Sequence, residues 1–369
     1  MTHPGPLSGL RVLEIESIGP VPWAGMMLSD WGADVLRVDR PAPPDMGEPR
    51  DVRHEVTQRG RRSLVVDLKR PEGVQEVLQL VARADLLLEG MRPGVMERLG
   101  LGPEVCLACN PRLIYGRMTG WGQDGPLAQT VGHDINYIAT TGVLHTIGKA
   151  GQPPVPPLNL LGDFGGGAML LVSGVLAALH AAKTSGRGQV VDAAMVDGTL
   201  SLLAPVIGRW QGGSWRDERE ANLFDGGAPF YTTYATAGGQ AVAVGAIEPR
   251  FYAALLHGLG LSAHDLPAQH DRAAWPALRA RFAAVFARET RDHWAQVFEG
   301  TEACVSPVLS LSEAVQHPHL KARRSLTEVD GVVQPAPAPR FSRTPAAIAG
   351  APVRRGQGGG EALGQWGRR

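Results

Sequence analysis

The first ninety residues alternate short apolar runs with amphipathic stretches. LRVLEIE (10–16), ADVLRVDRP (33–41), RRSLVVDLK (61–69) and DLLLEG (85–90) each predict a strand. WAGMMLSDWG (23–32) predicts a short helix that ends at Gly32. In PEGVQEVLQLVARA (71–84), Val74, Val77, Leu78 and Val81 recur at i, i+3, i+4 and i+7, the period of a helix with one apolar face. RLIYGRMTGWG (112–122) predicts a fifth strand. Strands alternating with helices imply an α/β domain, a Rossmann-like, mostly parallel sheet covered on both faces.

Farther along, the pattern changes. GGGAMLLVSGVLAALHAA (165–182) is apolar throughout and predicts a buried helix over 164–184. Residues 199–224 are mixed in character and read as a connection. FYTTYATAGGQAVAVGAI (230–247) holds two alternating runs about a Gly-Gly, a hairpin signal, and helical patterns fill roughly 249–316. The expected organisation is a large α/β domain over 1–198, a connection over 199–224, a smaller α+β domain over 225–325, and a carboxyl-terminal segment over 326–369. That last segment is rich in proline and basic residues and reads as extended, with GQGGG (356–360) flexible.

Charge narrows the partners. The 369 residues carry 36 Lys+Arg against 36 Asp+Glu, so the chain offers no bulk attraction to nucleic acid or to an anionic membrane. Neither is expected as a partner. The 165–182 window reaches the lower length for a membrane span, but it opens on three glycines and contains Ser173 and His180. The amino terminus has no basic region followed by an apolar one, so a soluble, cytoplasmic protein is expected. Three cysteines cannot build a disulfide framework. Cys106 and Cys109 form a single C-x-x-C in an ordinary helical stretch, with no second pair to complete a zinc site, and no metal is expected.

Candidate chemistry gathers in four places. The turn after the first strand is S-I-G-P-V-P and lacks the G-x-G-x-x-G that brings a backbone against a pyrophosphate, which argues against a dinucleotide. GHDINY places His133 and Asp134 together, an exposed polar pair or an acid/base. LLGDFGGG sets Asp163 just before a glycine-rich helix start. There it is either an N-cap or a proton carrier beside amides able to stabilise an oxyanion. Glu248 ends an apolar strand in VGAIEPRF, where a first-turn glutamate is the plainer reading. Arg40, Arg61, Arg62, Lys69 and Arg92 fall near strand ends, where a basic ring suits phosphates. His317 and His319 have no third ligand near in sequence. Spacing alone supports an α/β enzyme with a phosphate-bearing ligand and His and Asp as acid/base.

GHDINY, PPLNLLGDFGGG, GQVVDAAMVDG, NLFDGGAPFYTTY and AVGAIEP, in this order, resemble the α-methylacyl-CoA racemase family within the family III CoA-transferase superfamily. The likeness runs from GPLSGLRVLEIE to about APRFSRTP. It implies an isomerase that inverts the carbon next to a CoA thioester carbonyl by two-base proton transfer through an enolate. His133 would serve one face of the substrate and Asp163 the other. Glu248 would support His133 from the smaller domain, and Asp134 would help orient the site. For the CoA moiety the family pattern carries over to Arg40, to Val66, Asp67, Leu68 and Lys69, to Arg92, and to Gly132, Asn136 and Tyr137. The resemblance implies no cofactor beyond the CoA of the acyl-CoA substrate, and an interlocked homodimer. Animal peroxisomal members end in a targeting tripeptide; this chain ends GQWGRR, in keeping with the cytoplasmic expectation. The alternative on the same fold is a CoA-transferase in which an aspartate carboxylate is the nucleophile.

Overall fold

A computed structural model describes residues 5–42 and 51–367. The amino-terminal four residues of the expected 1–198 domain, its residues 43–50 and the last two of 326–369 lie outside the described residues. Backbone contacts divide the chain into two compact units. The larger comprises 1–141, 157–203 and 319–369; the smaller comprises 142–156 and 204–318.

The larger unit is built on a six-stranded parallel sheet in the order β3-β2-β1-β4-β5-β6, with β1 Arg11–Ile15, β2 Asp34–Asp39, β3 Arg61–Val65, β4 Leu86–Glu89, β5 Ile114–Thr119 and β6 Gln189–Ala194. This is the doubly wound order, whose switch point lies between β1 and β4. The central strands are buried on both faces, which is why they read as unbroken apolar runs. Val12, Val35, Leu88 and Ile114 face one core with the helix α1 (Pro20–Asp30), whereas Leu13, Leu36, Leu87 and Tyr115 face the other with α2 (Pro71–Val81).

One charged pair interrupts the first core. Glu14 on β1 and Arg61 on β3 are fully buried, with Arg61 Nε 2.8 Å from Glu14 Oε2. Arg61 also donates to the carbonyls of Pro22, Thr57 and Arg59. Arg61 and Arg62 thus lie at the amino end of β3. Arg62 is spent on Asp34, at 2.5 and 2.7 Å, so neither arginine joins the basic ring expected at the carboxyl ends.

The apolar 165–182 stretch departs from expectation. Its helix begins earlier, as a π-helical segment over Leu160–Ala168, and continues as an α-helix over Met169–Ser185. Leu160–Ser185 is long and apolar enough to cross a membrane, yet only 39% of its most apolar window is buried. Leu171, Val172, Val175, Ala178 and Ala182 pack inward, and Met169, Ser173, Ala177 and His180 remain exposed. The helix is therefore buried along one face, not all round.

The carboxyl-terminal segment also differs from the extended, flexible tail the sequence suggested. Leu326–Val329 and Val332–Pro335 pair as an antiparallel hairpin. Gly356–Gly358 lies along β3: the Ser63 amide donates to the Gln357 carbonyl at 2.9 Å, and the Gly356 amide donates to Ser63 Oγ at 2.8 Å. The reason is that β3 ends the sheet and its free backbone groups need partners. The closing helix, Gly359–Trp366, buries Trp366 in the second core and points its indole N–H at Asp34 Oδ2, 2.8 Å away.

The smaller unit carries the antiparallel sheet β7-β8-β9 (Tyr231–Ala235, Ala241–Gly245, Val305–Pro307) and an aromatic core of Phe230, Tyr234, Phe282, Phe286 and Trp294. Residues 142–156, expected within the large domain, cluster here. Glu220 accepts from Lys149 Nζ at 2.8 Å and from the Ala150 amide at 2.9 Å.

Two outcomes follow for stability. A helix interior ordinarily gains about 1 kcal/mol from Gly→Ala. At Gly25 in α1 the new Cβ would stand 2.1 Å from Glu14 Oε2 and 2.6 Å from Arg61 Nη2. Gly25→Ala is expected to cost roughly 3 kcal/mol, the order of a broken buried ion pair; a urea midpoint that stays or rises would contradict this. Trp366→Ala is expected to cost about 3–5 kcal/mol, the range for emptying a buried aromatic site, read as a lower thermal midpoint.

Candidate functional site

A cleft of about 750 Å³ opens at the carboxyl ends of β1, β4 and β5. Ile18-Gly19-Pro20 follow β1, Gly90-Met91-Arg92 follow β4, and Gly120-Trp121 follow β5; together they form one wall. This is the switch-point crevice where open parallel sheets bind ligands, because no helix covers it. The lining also brings together Gly132, His133, Asn136, Tyr137 and Asp163.

His133 sits at the N-cap of the helix α3 (Asp134–Thr140) with extended backbone, φ −127°. Its amide donates to Asn136 Oδ1 at 3.0 Å, which holds the residue at the cleft edge with its ring exposed. Tyr137 packs behind it. The Tyr137 hydroxyl donates to the Gly132 carbonyl, and the ring meets Trp121 edge-on at 4.8 Å. Gly120 is a steric requirement, since a Cβ there would lie 2.0 Å from the tyrosine ring.

Asp134 is buried beneath the cleft. Its Oδ2 accepts from the Gly162 amide at 2.6 Å and from the Asp163 amide at 2.8 Å. Its Oδ1 is buried without a hydrogen-bond partner among the described residues. This changes the reading of the glycine-rich helix start. Asp163 is not an N-cap, because the cap position belongs to Asn159. The glycine-rich stretch expected to open the helix and offer free amides to an oxyanion lies inside it, since the helix begins at Leu160, and the nearby amides of Gly162 and Asp163 serve Asp134.

Asp163 is half-buried and its Oδ2 accepts from Asn159 Nδ2 at 2.9 Å. Burial is the largest influence and pushes its pKa up. The Asn159 hydrogen bond pulls it down, the neighbouring Asp134 charge pushes it up, and His133 pulls it down; the net direction is upward. Gly19, at φ +69°, lets the β1 turn pass the carboxylate, since a Cβ there would come 3.3 Å from Asp163 Oδ2. Burial likewise raises the Tyr137 phenol.

The other singled-out residues lie elsewhere. Arg92 lines the cleft and is exposed. Arg40 lies at the end of β2, outside the cleft lining, with its Nε 3.1 Å from Glu16 Oε2. Val66 is buried in the second core, and Leu68 packs partly against it. Asp67 Oδ1 accepts from the Lys69 amide at 3.0 Å, and the Lys69 side chain is exposed. Glu248 belongs to the smaller unit, at the N-cap of the helix Pro249–Gly258, where its side chain is exposed and makes no capping bond. Cys106 is buried and its thiol is pushed up to about 12, while Cys109 is exposed. Among the described residues, no group of three or more His, Cys, Asp or Glu is placed to hold a metal ion.

Asn159 and Gly19 escaped sequence reasoning. Asn159 stands four residues before Asp163 inside PPLNLLGDFGGG, a spacing that puts two side chains on one face of a helix. Gly19 had no signal beyond its place in the turn.

Comparison with known proteins places this arrangement. The model of CoA-transferase family III matches residues 7–358. Alpha-methylacyl-CoA racemase of Mus musculus is 50% identical over 341 residues, covering 92% of this chain and 87% of that one. Its Homo sapiens counterpart is 47% identical over 343 residues, with the same two coverages. A CAIB/BAIF family protein from Brucella suis, of known crystal structure, has a TM-score of 0.84 at 24% identity, covering 99% of this chain and 100% of that one, a likeness of fold. The parallel six-stranded sheet, its open switch point and a family match over nearly the whole chain have one reading: the chain belongs to CoA-transferase family III.

Proposed function

We propose that the protein is an α-methylacyl-CoA racemase. It would invert the 2-methyl carbon of an acyl-CoA thioester by removing its proton on one face and returning one on the other. The observation that carries this reading is the presence of His133 and Asp163 in the lining of a single cleft. The relatives named racemase, at 50% and 47% identity, support it.

The α-proton of a thioester is a weak acid. Its removal needs a placed base and a stabilised enolate oxygen. In this reading His133 takes the proton from one epimer while Asp163, protonated, supplies one to the opposite face. The other epimer runs the same steps in reverse. An aspartate held at the usual low pKa would be a poor donor near neutrality. Burial and the Asp134 charge raise the Asp163 pKa, the direction a proton donor near neutrality requires. With the amides of 162 and 163 engaged by Asp134 and the Asn136 amide by the His133 carbonyl, the amides of Asp134 and Ile135, next to His133, are the donors we assign to the enolate oxygen.

A homodimer is part of this proposal. In the larger unit Leu158 is 74% exposed, Leu160 53% and Leu202 48%. A second copy, the occupant the resemblance implies, would cover these side chains.

The first test is incubation with one epimer of a 2-methylacyl-CoA in deuterated water. Deuterium at C2 together with both epimers is expected. His133→Ala and Asp163→Ala should each lower kcat by about 10²–10⁴, the usual worth of a placed acid or base. Unchanged epimerisation in either variant would remove the two-base assignment. Transfer of CoA to an added carboxylic acid, with no C2 exchange, would instead make an aspartate nucleophile the better account.

The pH profile gives a second test. Turnover needs one proton shared between His133 and Asp163, so the rate should be bell-shaped in both directions with the same two limbs. Asp134→Asn removes a like charge that raises the Asp163 pKa. The acid limb should then move to lower pH. A shift to higher pH, or none, would contradict the coupling.

A further inference from the structure

The carboxyl-terminal segment delivers a third charge to a pair lying beyond the cleft lining. Glu16 follows β1 and its side chain is 10% exposed. Its Oε2 accepts from the Arg40 amide at 3.0 Å and from Arg40 Nε at 3.1 Å. Arg355 enters from 339 residues farther along the chain. Its Nη2 donates to Glu16 Oε1, and its Nη1 donates to Glu16 Oε2 at 3.3 Å and to the Arg40 carbonyl at 2.7 Å.

The charges decide what this cluster can do. Glu16 and Arg40 alone cancel. Adding Arg355 leaves one net positive charge, and the half-exposed side chain is that of Arg40, at 46% against 27% for Arg355. Nor is Arg355 a loose surface arginine. Residues on either side of it are pinned: the Arg354 amide donates to Gln357 Oε1 at 3.1 Å and the Gly356 amide to Ser63 Oγ at 2.8 Å. The cluster sits at the carboxyl ends of β1 and β2, on the ligand-binding edge of such a sheet.

We propose that Arg355 is a positioning residue for phosphate recognition. It saturates Glu16, so that Arg40 presents uncompensated positive charge to a phosphate of the CoA moiety. This rests on the racemase reading, which supplies a CoA thioester as ligand. A guanidinium suits the partner because its planar donors match phosphate oxygens. Arg355 acts through Glu16 and Arg40 and touches no reacting atom, so its loss should appear in KM rather than kcat.

The experiment measures C2 exchange for wild type, Arg355→Gln, Arg355→Lys and the double variant Glu16→Gln/Arg355→Gln. Each meets three thioesters of one acyl group: CoA, dephospho-CoA and pantetheine. Arg355→Gln is expected to raise KM for acyl-CoA about tenfold, the equivalent of roughly 1.4 kcal/mol, with kcat within about twofold. Arg355→Lys should keep most of the affinity. On the pantetheine thioester, which has no phosphate, Arg355→Gln and wild type should coincide. A loss that persists with dephospho-CoA points to the diphosphate; a loss that disappears points to the 3′-phosphate. The double variant should recover affinity, because removing the Glu16 charge frees Arg40 again, which no merely structural role would produce. An unchanged KM, an equal loss on the pantetheine thioester, or a double variant no better than the single would each overturn the proposal. Wild-type protein that exchanges no C2 proton would overturn the racemase reading instead. Calorimetric titration with CoA would then decide Arg355 separately, through the same tenfold loss or its absence.

Discussion

The site depends on one carboxylate. Asp134 Oδ2 receives two backbone N–H groups from the neighbouring segment, at 162 and 163, and so fastens the start of α3 to the turn that carries Asp163. Hydrogen bonds from amides to an ionised oxygen are short and strong, and these lie out of solvent. The same atom has two consequences. It fixes the distance between the elements bearing His133 and Asp163, and its charge raises the proton affinity of Asp163. Geometry and proton affinity are therefore not independently adjustable here.

That fastening works because backbone replaces side chain around it. A Cβ at Gly162 would stand 2.6 Å from Asp134 Oδ2. On the far side of the same segment, a Cβ at Gly198 would meet the Gly166 carbonyl at 1.8 Å, so the helix beginning at Met195 rests directly on the glycine run. Glycine in these places is a matter of space and not of flexibility. The glycines that suggested an oxyanion-binding amide array serve instead as contact surfaces between backbones.

Much of the frame was legible because a doubly wound sheet writes itself plainly. Strands buried on both faces appear as apolar runs, and the surface helix between the third and fourth shows its period. The site was legible in part: His133, Asp134 and Asp163 stood out as polar residues in mild surroundings. What could not be read has a common cause. Asn159 acts through a spacing that only a helical turn makes meaningful, and no apolar period marks that turn, since glycines fill it. The Gly356–Gly358 run looked flexible because its partner, Ser63, lies nearly three hundred residues away. The 142–156 segment is held by Glu220, seventy residues farther along the chain from Ala150. The buried Arg61 is conspicuous only once Glu14, in another strand, is placed beside it.

The π-helical turn over Leu160–Ala168 has a further meaning for how this helix carries two duties. Downstream, the helix must keep Leu171, Val175, Ala178 and Ala182 against the sheet. Upstream, Asp163 must look into the cleft. A regular α-helix would couple these two directions rigidly, residue for residue. The wider turn holds surplus chain at the junction and acts as a phase adjuster between them. Loss of a single residue there would swing the carboxylate to another azimuth and at the same time move the glycines off the backbone surfaces they fit, so direction and contact are indexed together.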